Sequence, residues 1–185
     1  MKIGVLALQG NFAVHQRALT QRGFQTVLVK TPSHLNAIDA LVLPGGESTT
    51  MRYLLEKHEL YCLLSQRVEA GLPVFATCAG IILLAQMGQL AVEVQRNAYG
   101  PQLASFATNL SVKCPEDGSV RTLEAYFIRA PKIIRWDSQQ VVVLASHQTL
   151  PVIIRQKHIL AATCHPEMAS DPWLYDYFCQ VIAAH

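Results

Sequence analysis

Between Ile3 and Ala85 short apolar runs alternate with helix-forming stretches, and this alternation constrains the fold more than any other feature of the chain. Ile3 to Leu8 is a continuous apolar run of the kind found in a strand buried on both faces. Gln9-Gly10-Asn11 closes it before a helical stretch that stops at Arg22-Gly23. Gln25 to Val29 is β-branched and reads as a second strand, and Thr31-Pro32-Ser33 suits a turn into a short helix. Ala40 to Leu43 is a third strand. A helical region from Met51 to Ala70 ends at Gly71, and Leu72-Pro73 leads into a fourth apolar run, Val74 to Thr77. Strands separated by helices specify right-handed parallel βαβ units, with ligands bound beyond the strands' carboxyl ends. The expectation is a three-layer, flavodoxin-like α/β fold with a mostly parallel sheet.

Beyond Gln86 the texture changes. Val92-Glu93-Val94, Leu110-Ser111-Val112, Ala125 to Ile128, Val141 to Leu144, Val152 to Ile154 and Ile159 to Ala162 are short candidate strands, with Asp117-Gly118 and Gln156-Lys157 as turns between some of them. Added antiparallel strands that extend or flank the sheet are expected in this half. Asp171-Pro172 starts a C-terminal helix in which Leu174, Phe178, Val181 and Ile182 recur at helical spacing. With 185 residues, 51% of them hydrophobic, and no linker or repeat, residues 1–185 are expected to form a single domain.

Fifteen basic residues against 13 acidic ones, with no basic run interleaved with aromatics, argue against nucleic acid as a partner. The amino terminus is too short for a signal segment, and no apolar run reaches membrane-spanning length, so no membrane association is expected. Five cysteines without a C-x-x-C pair suggest neither a disulfide framework nor a metal site, and a reducing, cytoplasmic setting fits them.

The fourth run stops at one cysteine. In Val74-Phe75-Ala76-Thr77-Cys78-Ala79-Gly80-Ile81 a strand passes straight into a helix. The corner side chain is thereby exposed above the sheet edge, beside the first backbone N–H groups of the helix, which favour a thiolate. Cys78 reads either as a nucleophile or as a packed core thiol. A nucleophile needs a base, and the base needs an orienting group. His165 follows the apolar run Ile159 to Ala162, and Glu167 stands two residues further on, so in extended backbone both side chains point the same way, with Pro166 stiffening the link. This is triad logic, although a solvated strand-end histidine with an incidental glutamate fits the same letters. Pro44-Gly45-Gly46-Glu47-Ser48 follows the third strand. Its glycines can present N–H groups to an oxygen, Ser48 can cap the next helix, and the phosphate-loop pattern is missing. Of the other histidines, His15, His34 and His58 read as exposed surface residues. His147 ends a strand without a nearby carboxylate, His158 falls in a hairpin, and His185 is terminal. Cys62, Cys114, Cys164 and Cys179 read as core or incidental thiols.

Taken together, the Pro44 to Ser48 loop, the Ala76 to Gly80 elbow and His165-Pro166-Glu167 resemble the triad (class I) glutamine amidotransferases. Arg96-Asn97-Ala98-Tyr99-Gly100, Phe127 to Pro131, the opening Leu6 to Asn11 and Gly45 to Arg52 narrow the similarity to the glutaminase subunits of two-protein pyridoxal 5'-phosphate synthases, over the whole chain. The resemblance implies hydrolysis of L-glutamine to glutamate and ammonia, with Cys78 as nucleophile, His165 as proton shuttle and Glu167 orienting His165. It places the oxyanion on backbone N–H groups of Gly46 and Ala79, and glutamine against Gly46, Glu47, Ser48, Arg96, Ile128 and Arg129. It implies no cofactor and no metal. Its partner is a separate barrel-shaped synthase subunit in a large hetero-oligomer making pyridoxal 5'-phosphate (vitamin B6), whose binding switches the glutaminase on; the Gly45-Gly46 loop suits such a switch, because a glycine pair lets a peptide flip at little steric cost. A chain of this size has no room for a second catalytic domain to receive the ammonia. Ala76 replaces the usual elbow glycine, the segment from Ala85 to Val92 is short, and Pro101 and Cys164 stand where a polar and an aromatic residue are common. A glutaminase serving another synthase, a cysteine hydrolase of the same fold and a non-catalytic subunit are the alternatives.

Overall fold

The computed structural model describes residues 1–98 and 105–183; Tyr99, Gly100, Pro101 and His185 lie outside the described residues. Its first half follows the alternation closely: β1 (Lys2–Leu6), α1 (Phe12–Thr20), β2 (Gln25–Val29), α2 (Pro32–Asn36), β3 (Ala40–Leu43), α3 (Ser48–Lys57), α4 (Tyr61–Glu69), β4 (Val74–Thr77) and α5 (Ala79–Gln86). The single helical region read from Met51 to Ala70 is two helices. The chain leaves α3 at His58 and reverses at Glu59, whose φ is 57°, a left-handed conformation that an α-helix cannot carry on through. Glu47, not Ser48, caps α3. Its carboxylate accepts from the Thr49 and Thr50 amides at 3.2 and 2.8 Å, while Ser48 is buried as the first helical residue.

The second half supplies β5 (Val92–Gln95), β6 (Phe106–Lys113), β7 (Val120–Phe127), β8 (Lys132–Trp136), β9 (Val142–His147), β10 (Leu150–Gln156), β11 (Ile159–Ala162) and α6 (Trp173–Tyr177). The backbone runs on from α6 in a wide π-type turn to Ile182, of whose last side chains, Val181 and Ile182, nothing is described. Strand β8 is an addition to the expected strands, its apolar pattern interrupted by the exposed Arg135 and Trp136.

The seven-stranded sheet has the order β2-β1-β3-β4-β11-β10-β9. Strands β1 to β4 and β11 are parallel, and β10 and β9 continue the sheet antiparallel. Pairs β5-β8 and β6-β7 flank it as separate antiparallel ribbons. Alternate residues of the buried strands feed two apolar layers. Ile3, Val5, Val42, Phe75 and Leu160 face α1, α6 and the β6-β7 ribbon. Leu41, Leu43, Val74, Ala76 and Ala161 face α3, α4 and α5. A side chain such as Phe75, with no exposed surface, contributes about 1.5–3 kcal/mol by burial. Among the described residues no helix is long and apolar enough to cross a membrane.

Candidate active site

Three neighbouring parallel strands, β3, β4 and β11, end side by side, with Leu43 level with Ala76 and Thr77 level with Ala162. Their carboxyl ends therefore deliver the Gly45-Gly46 loop, Cys78 and the His165 turn to one edge, as parallel sheets do at their ligand-binding rim.

Cys78 forms the corner between β4 and α5. Its φ of 46° with ψ of −106° lies outside the comfortable regions for a side-chain-bearing residue, a strain of about 1–3 kcal/mol that the surroundings must hold in place. They do so by hydrogen bonds: the Cys78 amide donates to Ala162 O at 2.9 Å, and the Ile81 amide to Cys78 O at 3.2 Å. The small Ala76 is fully buried beneath this corner, so the elbow closes without the glycine usual there. Ala79 begins α5. As a first-turn residue its amide has no acceptor within the helix, which leaves it available at the floor of the cleft.

The glycines opposite Cys78 answer to close approach. A Cβ on Gly45 would lie 2.9 Å from the His165 ring and 3.2 Å from Cys78 Cβ, and one on Gly46 would lie 2.5 Å from Gln9 Oε1. Gln9 Oε1 also accepts from the Glu47 amide at 3.0 Å, so the loop after β1 braces the loop after β3.

His165 Nδ1 bonds Glu167 Oε1 at 2.8 Å, its Nε2 bonds Ile128 O at 3.3 Å, and its backbone amide donates to Tyr126 O at 2.9 Å. A carboxylate and a carbonyl can only accept, so both ring nitrogens carry hydrogen in this arrangement. Burial works against that charge, but hydrogen bonds to Cys78 and Glu167 and the attraction of both groups outweigh it and lift the His165 pKa to about 10. Glu167 is buried, which alone would favour its neutral form. The hydrogen bond from His165 and the charge of that ring nevertheless hold its pKa below the ordinary carboxylate value. The geometry places a cysteine beside an imidazolium that is steadied by a carboxylate. Cys164, next to His165, is set apart by burial, which pushes its thiol up to about 12, and burial does the same to Cys179.

A cavity of about 190 Å³ opens above Cys78, lined by Gly46, Glu47, Ser48, Ala79, Arg96, Ile128, Arg129 and His165, every position expected there except the buried Glu167 behind His165. Ile82, Asn97 and Pro131 complete the lining. Asn97, within the Arg96 to Gly100 stretch that carries the resemblance, has φ of 49°, a left-handed conformation that asparagine tolerates. Arg96 bonds Glu47 Oε1 at 2.8 Å and Thr49 Oγ1 at 3.0 Å, while Arg129 is exposed at the cleft mouth. Glu47 is held acidic, at about 2, chiefly by the Thr50 amide.

The histidine expectations hold only in part. His15 is not a surface residue: it is wholly buried and approaches Glu167 from behind, because α1 turns Phe12, His15 and Leu19 onto its inward stripe. His147 packs against the rings of Phe106 and Phe127. His58 is exposed as expected, and His34 is half-buried.

The family profile described as the SNO glutamine amidotransferase family matches residues 5–184. The chain is 44% identical to a pyridoxal 5'-phosphate synthase subunit PdxT of Thermotoga neapolitana, over 98% of this chain and 100% of the relative. It is 40% identical to the subunit of the same name from Thermosipho africanus, over 98% and 99%. A crystal structure of a glutamine amidotransferase superposes with a TM-score of 0.89 at 40% identity, covering 99% of both chains. The chain belongs to the SNO glutamine amidotransferase family.

Proposed function

We propose that this protein hydrolyses L-glutamine to glutamate and ammonia as the glutaminase subunit of a pyridoxal 5'-phosphate synthase. The observation that carries the reading is the alignment of Glu167, His165 and Cys78 at the ends of adjacent strands, with His165 and Cys78 facing one cavity and Glu167 behind the ring. The Cys78 thiolate attacks the side-chain amide carbon. The developing oxyanion is met by the amides of Ala79 and Gly46, each such donor being worth about 10²- to 10³-fold in rate. The imidazolium of His165 gives its proton to the departing nitrogen, ammonia leaves, and a glutamyl thioester remains. Neutral His165 then takes a proton from water, the hydroxide opens the thioester, and glutamate and the thiolate are regenerated. Arg129 and Arg96 suit the substrate's α-carboxylate, with Glu47, Ser48 and Ile128 completing its surroundings.

The names of the curated relatives support an acceptor for the ammonia: a separate synthase subunit, in a hetero-oligomer that makes pyridoxal 5'-phosphate. The five free thiols support a reducing, cytoplasmic setting. The test is ammonia release from glutamine, measured with and without the synthase subunit, alongside Cys78→Ala and mass analysis after a glutamine-analogue alkylator. Partner-stimulated ammonia and label on Cys78 are expected; label on another cysteine, or no ammonia with the partner present, overturns the reading.

A further inference from the structure

Glu167 has two oxygens, and the proposed triad uses one. Oε1 holds His165, whereas Oε2 is buried and has no hydrogen-bond partner within ordinary reach among the described residues. A buried, ionised carboxylate oxygen left unsatisfied carries a large desolvation cost. The polar atom that faces it is His15 Nε2, at 3.6 Å, from a ring with no exposed surface.

The hydrogen on that ring can be assigned. Tyr175 Oη lies 2.7 Å from His15 Nδ1 on the ring's other side. Burial, reinforced by the charge of Glu167, raises the Tyr175 hydroxyl well above its ordinary pKa, so it keeps its proton and can donate. Burial drives His15 the other way, to about 4, so its imidazole is neutral at physiological pH. A neutral ring that accepts at Nδ1 must carry its hydrogen on Nε2, where it faces Glu167 Oε2 and, at 3.4 Å, Thr77 Oγ1. The opposite tautomer would set a nitrogen lone pair against the carboxylate. Tyr175 is itself pinned, its ring edge-on to Phe75 at 5.5 Å and the Arg22 guanidinium 5.8 Å from its centroid.

We propose that His15, its tautomer fixed by Tyr175, is a positioning residue of the glutaminase that turns Nε2–H towards Glu167 Oε2 at 3.6 Å and by that attraction holds Oε1 on His165. This role presupposes the Cys78, His165, Glu167 reading above. It joins α1 to α6, at opposite ends of the chain, beneath a reaction that touches neither helix. Among the described residues, the titratable and charged groups around Glu167 are His165 on its own turn, His15 and, further out, Arg22 from α1 and its end, Tyr175 and Asp176 from α6, and Cys164 and Cys78 from the strand ends; β7 brings the Tyr126 carbonyl to the His165 amide. Without His15 the carboxylate of Glu167 is free to turn, Oε1 is no longer held on Nδ1, and the imidazolium, with its counter-charge displaced, gives up its proton at lower pH.

The test measures partner-stimulated glutamine turnover across pH for the wild-type complex and for His15→Leu, His15→Gln and Tyr175→Phe, with Cys78→Ala as the blank. His15→Leu is expected to lower kcat on the order of 10-fold or more with KM little changed, and to shift the alkaline limb of the pH profile down by about one unit. His15→Gln, whose amide can donate from nearly the same place, restores most of the rate. Tyr175→Phe removes one oxygen, keeps the ring on Phe75, and is expected to cost a few-fold in kcat with a smaller shift of the same sign. If His15→Leu fails to fold, Tyr175→Phe and His15→Gln decide. Folded variants with wild-type kcat and an unmoved alkaline limb overturn the role of His15 while Cys78→Ala remains inactive. Activity surviving in Cys78→Ala would instead overturn the triad reading.

Discussion

Two histidines flank Glu167, one on each carboxylate oxygen, and they stand in opposite protonation states. His165 reaches the cleft, faces acceptors with both nitrogens and holds its proton up to a pKa of about 10; His15 is sealed beneath α1, receives a hydrogen from Tyr175 and is neutral above about 4. Residue type and the nearby anion are the same for both. What differs is hydration and the partner on the far side of each ring, and those decide which histidine can move a proton and which can only hold a position.

The largest effect should come from breaking the cleft side. His165→Ala is expected to reduce partner-stimulated glutamine hydrolysis by about 10⁴-fold or more while leaving complex formation intact, as read by ammonia release and co-sedimentation with the synthase subunit. Loss of the fold in that variant would make His165 a structural residue.

Acid stability isolates the buried side. His15 is neutral in the folded protein down to about 4, whereas the unfolded chain protonates it near its ordinary 6.5. Its contribution is therefore complete above 6.5 and is lost as pH falls towards 4, at about 1.4 kcal/mol per pH unit. His165 has the opposite sign: its raised pKa makes its contribution complete below 6.5, and it declines only as pH rises towards about 10. Urea midpoints between pH 6.5 and 4.5 should fall less steeply in His15→Leu than in the wild type; parallel slopes would contradict a buried neutral His15.

Glu167→Gln removes the anion from both rings. A fall in kcat of about 10²-fold is expected, with the alkaline limb of the pH profile displaced downwards, since the imidazolium loses its counter-charge. A smaller, separate effect is expected at the cleft mouth, where Arg129→Ala should raise KM for glutamine about tenfold with kcat nearly kept, because it removes a carboxylate contact common to ground and transition states. A fall in kcat at constant KM would move Arg129 from binding to chemistry.

The legible parts of this molecule are those written in short-range pattern. The strands from Gln25 to Val29 and Ala40 to Leu43 fell at their observed bounds, because buried parallel strands are apolar runs bracketed by turn residues. Cys78 at a strand-to-helix corner, and His165 with Glu167 two residues on, were readable for the same reason. Strand β8 was not, since two of its outward residues break the period, nor was the stop between α3 and α4, which depends on one left-handed residue, Glu59. His15 carried a signal that exposure statistics concealed: with Phe12 and Leu19 it lies on the apolar stripe of α1, which makes it a buried histidine needing a partner.

By itself the sequence determined the layer architecture, the sheet edge at which chemistry can occur and the candidates Cys78 and His165 for a nucleophile and its base, because periodicity and turn chemistry act over a few residues. Only the tertiary structure decided that Gly45 lies against His165, that Gln9 braces Glu47, and that Tyr175 meets His15 across 160 positions of chain. Those contacts set the protonation of each ring, and no local pattern encodes them, since a proton's affinity depends on what burial removes and what distant partners return.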